Sequence, residues 1–157
     1  MMIEISIPGR GKLQCRYLVL DYNGTLAVDG RLIEGVRETL QQLSDKLEIH
    51  VLTADTFGKA RSGLTGISCK LSILPIDRQD IGKREYVIDL GAEFCVCIGN
   101  GRNDRLMLKE ASHGIAVIQE EGAAAETLLA ADVVCSGIIS ALDLLSNPLR
   151  LVATLRI

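Results

Sequence analysis

Short apolar runs alternate with helix-patterned stretches along most of this chain, and that alternation narrows its fold more than any other feature. Gln14 to Leu20 (with Tyr17-Leu18-Val19-Leu20 at its core), Glu48 to Thr53, Leu71 to Leu74, Phe94 to Ile98, Gly114 to Ile118 and Asp132 to Cys135 read as strands. Between them, Glu34 to Leu47 carries Val36, Leu40, Leu43 and Leu47 at helical spacing. Helices are also expected over 57–64, capped by Asp55 or Thr56, and over 80–90, with Ile81, Val87, Ile88 and Leu90 inward and Gly91 as the stop. Further helical stretches follow the Gly99 to Asp104 loop, then at 123–130 and 138–145. Strand and helix in this rhythm predict a parallel sheet covered on both faces, an α/β doubly wound domain spanning 1–157. Residues 1–14 read as an edge hairpin turning at Pro8-Gly9, Ala27 to Leu32 as a small hairpin around Asp29-Gly30, and 149–157 as an apolar-basic tail after Pro148.

In a parallel sheet the C-terminal strand ends lie side by side, and ligands bind at that edge. Asp21, Thr53 and the loop Gly99-Asn100-Gly101-Arg102-Asn103-Asp104 each follow a strand directly. Lys83 stands near the start of its helix and can reach the same edge. Two carboxylates, a hydroxyl, an ammonium and glycine-rich backbone amides form an inventory for a phosphoryl group and a magnesium ion. Taken one at a time these residues have plainer readings: Asn23-Gly24 as a hairpin turn, Thr53 as a strand-end cap, Lys83 as a solvated lysine, Asn103-Asp104 as a helix cap. Their joint order and spacing favour the site.

Composition excludes several alternatives. A net charge of −3 with no basic run argues against a nucleic-acid surface, and the absence of Trp leaves few base-stacking platforms. Gly9-Arg10-Gly11-Lys12 lacks the Walker spacing. Five cysteines, none in a C-x-x-C pair, read as reduced thiols, with Cys95 and Cys97 on one strand face; His50 and His113 read as structural. Glu4 spoils a signal peptide, and Glu126, Asp132 and Asp143 interrupt the apolar region 123–145, so no membrane span and a cytoplasmic location are expected.

The order Asp21-Tyr22-Asn23-Gly24-Thr25-Leu26, Leu52-Thr53-Ala54-Asp55-Thr56, Gly82-Lys83 and Gly99 to Asp104 resembles the haloacid dehalogenase (HAD) superfamily. The nearest flavour is the phosphorylation domain of P-type ATPases and its soluble relatives. The resemblance runs from about Asp21 to Leu145. It implies a Rossmann-like fold, with Asp21 as the nucleophile forming an aspartyl-phosphate and the Asn23 carbonyl binding Mg2+. It places Thr53 and the Ala54 amide on the phosphoryl oxygens and gives Lys83 to charge neutralisation and the orientation of Asp21. Asn100 and Asp104 fall at the metal positions. Two departures stand out. Asn23 replaces an aspartate that protonates the leaving oxygen, a service typically worth about 10²–10⁴-fold. Asn100 replaces a metal-binding aspartate. The segments 25–34 and 53–83 are too short for a cap domain. A capless member takes a large substrate or closes its site with a neighbouring subunit, so the expected partners are a phosphorylated small molecule or phosphoprotein and a second copy of the chain in a homo-oligomer.

Overall fold

The computed structural model describes all residues, 1–157. Its centre is a six-stranded, all-parallel sheet built from β3 (Tyr17–Asp21), β6 (Glu48–Thr53), β7 (Lys70–Ile73), β8 (Cys95–Gly99), β9 (His113–Val117) and β10 (Val133–Cys135), in the order β10-β9-β8-β3-β6-β7. The chain runs outward from β3 through β6 to β7, then crosses back to place β8 on the other side of β3. β3 is therefore the point where the winding direction reverses, and a crevice opens beyond its carboxyl end. Register sets the neighbouring ends level: Asp21 lies opposite Leu52 and Leu20 opposite Ile98.

Side-chain alternation divides the core between the two faces. Leu18 and Leu20 of β3, with Val96 and Ile98 of β8, pack under α1 (Val36–Leu43), α6 (Ile138–Ser146) and α7 (Pro148–Leu155). Val19, Cys95 and Cys97 face α3 (Gln79–Leu90) and α4 (Arg105–Glu110) on the opposite side. Cys95 and Cys97 thus share a face as expected, and all five cysteines are unpaired. The remaining helices, α2 (Lys59–Gly63) and α5 (Ala125–Ala130), are short.

Several local expectations are corrected. The N-terminal hairpin, β1 (Ile3–Ile7) with β2 (Gly11–Cys15), is a separate two-stranded sheet and not an edge of the central one. Arg16 ends the expected 14–20 strand: its amide donates to the Phe94 carbonyl and its own carbonyl accepts from Glu48 N, so the chain changes partner there. The tail is a helix: Pro148 sits in its first turn, where a missing N–H is tolerated, and Leu151 is buried. That helix packs on the hairpin, and Ile157 N donates to the Pro8 carbonyl. Ile88 turns outward, with 47% of its surface exposed, because Lys83 and Val87 define the inner stripe of α3. The helix expected over 57–64 contracts to α2, and Asp55 holds it from a distance by accepting from Ala60 N and Arg61 N. The hairpin β4 (Ala27–Val28) with β5 (Arg31–Leu32) forms as expected. No cap domain is inserted after it or between β6 and α3. No single helix is long and apolar enough to cross a membrane.

Candidate functional site

Asp21 ends β3 at the reversal point, and the turn behind it depends on Gly24, which has φ +79°. A side chain there would strike the Asn100 amide, so glycine serves both the backbone angle and the close approach of the β8 loop. That approach lets Thr25 Oγ1 lie 3.1 Å from Asp21 Oδ2 and 3.2 Å from Asn100 Oδ1. Asp21 and Asn100, distant in the chain, are thereby linked through one buried hydroxyl.

Beneath the crevice floor, Lys83 reaches up from α3 and is only 1% exposed. Its Nζ donates to Asp21 Oδ1 at 2.9 Å, to Asp104 Oδ1 at 2.7 Å and to Asn103 Oδ1 at 3.2 Å. Burial pushes the Lys83 ammonium toward the neutral form, but Asp21 and Asp104 together outweigh it, and its affinity for the proton is raised. Two carboxylates share that single ammonium, so the buried triad carries a residual negative charge. Burial first, and the Asp104 charge second, push the Asp21 carboxyl up to about 7, with Lys83 and Thr25 opposing. A cation beside Asp21 would favour its ionised form.

The sequence placed Asp104 on the metal. In the structure it has no exposed surface, and its oxygens are taken by Lys83 and by the amides of Asn100 and Gly101, at 3.0 and 2.9 Å. It shapes the 100–104 turn and fixes Lys83; it does not reach the crevice. Asp21, Asn23, Thr53, Ala54 and Asn100 do line the crevice, a space of about 400 Å³. Three of the groups around it have spare hydrogen-bonding capacity. The Asn23 carbonyl accepts no backbone amide, the Ala54 amide donates to no protein acceptor, and the Thr53 hydroxyl accepts from Asp55 N but keeps its own proton to give. The Asn23 side chain is exposed and unpartnered at the rim. A carboxylate, a free carbonyl and an amide oxygen suit a hard cation, while a free N–H and a hydroxyl suit phosphoryl oxygens, with the Lys83 ammonium beneath as a compensating charge. The donor set therefore fits magnesium.

Thr25, in the motif that opens at Asp21, supplies the buried hydroxyl of this turn. Three further residues matter that the sequence reading passed over. Gln119 donates to the carbonyls of Gly24 and Thr25, at 3.1 and 2.9 Å, and accepts from Ile138 N at 2.8 Å, tying the Asp21 turn to α6. Lys59 and Glu121 line the crevice and form no ion pair. Only the tertiary fold brings these last three to the site.

A crevice at the switch point of a capless parallel sheet, with an acid at its centre and a lysine beneath, defines the haloacid dehalogenase fold, and solved structures agree. The 3-deoxy-D-manno-octulosonate 8-phosphate phosphatase of Moraxella catarrhalis, in complex with magnesium, phosphate and KDO, superposes with a TM-score of 0.69 at 17% identity, covering 89% of this chain and 92% of that one. The cobalt-bound enzyme of Haemophilus influenzae gives 0.69 at 15%, covering 85% and 88%. The Yersinia pestis enzyme gives 0.65 at 16%, covering 97% and 94%. No family model matches the chain. In sequence it belongs with two proteins of Methanocaldococcus jannaschii. It is 51% identical to the uncharacterized protein MJ0072 over 39 residues, 25% of this chain and 89% of that one. It is 54% identical to the uncharacterized protein MJ0073 over 61 residues, 39% of this chain and 66% of that one.

Proposed function

We propose that this chain is a magnesium-dependent phosphohydrolase or phosphotransferase acting through an aspartyl-phosphate, an acyl phosphate on Asp21. The observation that carries this is the meeting of Asp21, Lys83 and Asp104 within hydrogen-bond distance of one nitrogen, directly under a crevice with a free amide, a free carbonyl and a hydroxyl. Support comes also from the fold shared with phosphatases that bind magnesium or cobalt. An Asp21 oxygen attacks phosphorus and the bond to the leaving oxygen breaks, its electron pair departing with that oxygen. Water or another acceptor then attacks the same phosphorus and restores Asp21. Thr53 and the Ala54 amide hold the equatorial oxygens, and Lys83 offsets their charge. Asp21, the Asn23 carbonyl and Asn100 Oδ1 would hold magnesium, which when bound neutralises phosphate charge.

Asn23 cannot give or take the proton that an aspartate there would. Good leaving groups are therefore favoured: acyl phosphates, phosphoanhydrides and aryl phosphates. The test is magnesium-dependent hydrolysis of acetyl phosphate by the wild type and by Asp21→Asn. Loss of all turnover in the variant is expected, and equal rates would overturn the reading. Asn23→Asp should raise alkyl phosphate hydrolysis by about 10²-fold or more. The same missing acid favours one second reading, a module whose phosphorylated Asp21 persists as a regulatory mark. A stable phosphoprotein without turnover would identify that case.

A further inference from the structure

A second cavity, about 570 Å³, adjoins the crevice and shares Ala54, Thr56, Gln79 and Asn103 with it. The two have opposite charge. The crevice is lined by Asp21, Asp55 and Glu121 against Lys59, whereas the neighbour is lined by Arg78, Arg102 and Arg105 against Asp80. A cationic wall is the exception in a chain of net charge −3. Two of its arginines are occupied: Arg105 pairs with Asp80 and Glu126, and Arg102 with Glu126. The Arg78 guanidinium has no ion pair and no hydrogen bond. It sits on a backbone held at φ +55°, a left-handed conformation that a non-glycine residue adopts only when its surroundings impose it. That conformation ends the β7 loop and presents Arg78 at the head of α3, the helix that carries Lys83.

From this we infer that the substrate carries a second anionic group on its leaving side and that Arg78 recognises it. The inference rests on the phosphoryl-transfer function proposed above and narrows its substrate class. The transferred phosphoryl group goes with its cation to the acidic crevice, and the leaving group's own charge goes to the arginine wall. Arginine suits either a phosphoryl or a carboxylate group, since its planar donors match both. A leaving group of low basicity, such as a phosphate or a carboxylate, also departs without the proton that Asn23 cannot supply. The missing acid and the unpaired arginine thus point to one kind of molecule.

Binding of phosphonates tests this without any turnover. By calorimetry with magnesium present, methylenediphosphonate should bind the wild type about tenfold more tightly than methylphosphonate. Phosphonoacetate serves as the carboxylate arm and identifies which second anion is preferred. Arg78→Ala should reduce the preference to about twofold while methylphosphonate affinity changes little, and Arg78→Lys, a point charge without the planar donors, should fall between alanine and the wild type. Arg78→Gly, which suits the left-handed backbone, guards against misfolding of the alanine variant and should behave like it. Equal weakening of both ligands, or an undiminished preference in Arg78→Ala and Arg78→Gly, would overturn the inference. Failure of wild-type acetyl phosphate hydrolysis alongside an Arg78-dependent preference would sink the enzymatic function and leave the anion site standing. Failure to bind any phosphonate would remove both.

Discussion

Asn100→Asp separates a metal position from a merely polar turn, because its effect should depend on magnesium. Asn100 Oδ1 and Asp21 Oδ2 flank the same Thr25 hydroxyl, at 3.2 and 3.1 Å, so they lie no more than about 6 Å apart. At pH 8, above the raised value of Asp21, two unit charges at that spacing repel by about 3 kcal/mol at an effective dielectric near 20. The new carboxylate also loses the donor that Asn100 Nδ2 gives to the Gly122 carbonyl at 3.1 Å. Each kcal/mol moves the unfolding midpoint of a chain this size by about 2–4 °C, so the metal-free variant should melt about 6–12 °C below the wild type. Magnesium should narrow that gap. A tenfold gain in affinity from the added carboxylate restores about 1.4 kcal/mol under saturation, or about 3–6 °C. Thermal melts followed by circular dichroism, in chelator and in saturating magnesium, give both numbers. An equal deficit in the two conditions would show that residue 100 does not face the cation. No deficit in chelator would refute the electrostatic reasoning about Asp21.

Two other perturbations test the frame around the site. Lys83→Met removes the only cation between two buried carboxylates, which typically costs about 3–5 kcal/mol; urea denaturation at pH 7 measures it, and a loss below about 1 kcal/mol would contradict the buried triad. His113 is 4% exposed with neither ring nitrogen hydrogen-bonded, and burial holds its pKa below the ordinary value of 6.5. The unfolded chain therefore binds a proton that the folded one resists, so His113 contributes full stability above about pH 6.5 and loses it as the pH falls below that. Asp21, raised in the fold, slopes the other way between its ordinary value and about 7. The difference between wild type and His113→Gln isolates the histidine: the variant should lose less stability from pH 7 to 5, and identical slopes would refute the assignment.

The strands were legible because the central ones are short, mostly apolar runs buried on both faces, and the chemical residues follow those runs directly. Asp21 and Thr53 could be placed from that alone, since parallel pairing fixes which ends meet. Lys83 was legible only through its spacing, because nothing local marks a lysine that will be buried. What could not be read depended on partners distant in the chain. Arg16 breaks a strand whose residues all look suitable, because its backbone groups find Phe94 and Glu48. Pro148 to Leu155 has the composition of a tail and becomes a helix once Leu151 has the hairpin to pack against. Asp104 has a metal ligand's position in the motif, yet its oxygens are consumed by neighbours that only the folded turn supplies.

The two asparagines have separate physical consequences that reinforce each other. With aspartate at 23 and at 100, the crevice would join two further carboxylates to Asp21 and Asp104, while the single buried ammonium of Lys83 could offset only one of the four. Asn100 relieves that repulsion in the metal-free protein, and the relief is paired with weaker attraction for the cation. Asn23 relieves it further and removes the proton donor for the leaving oxygen. A site so altered has lost little of what positions a phosphoryl group, because the Ala54 amide, Thr53 and Lys83 are independent of both positions. Under the proposed mechanism it lacks the means to expel a basic leaving group. On the function proposed here, selection among substrates therefore moves away from the reacting phosphorus and onto the leaving group, whose charge the unpaired Arg78 is placed to read.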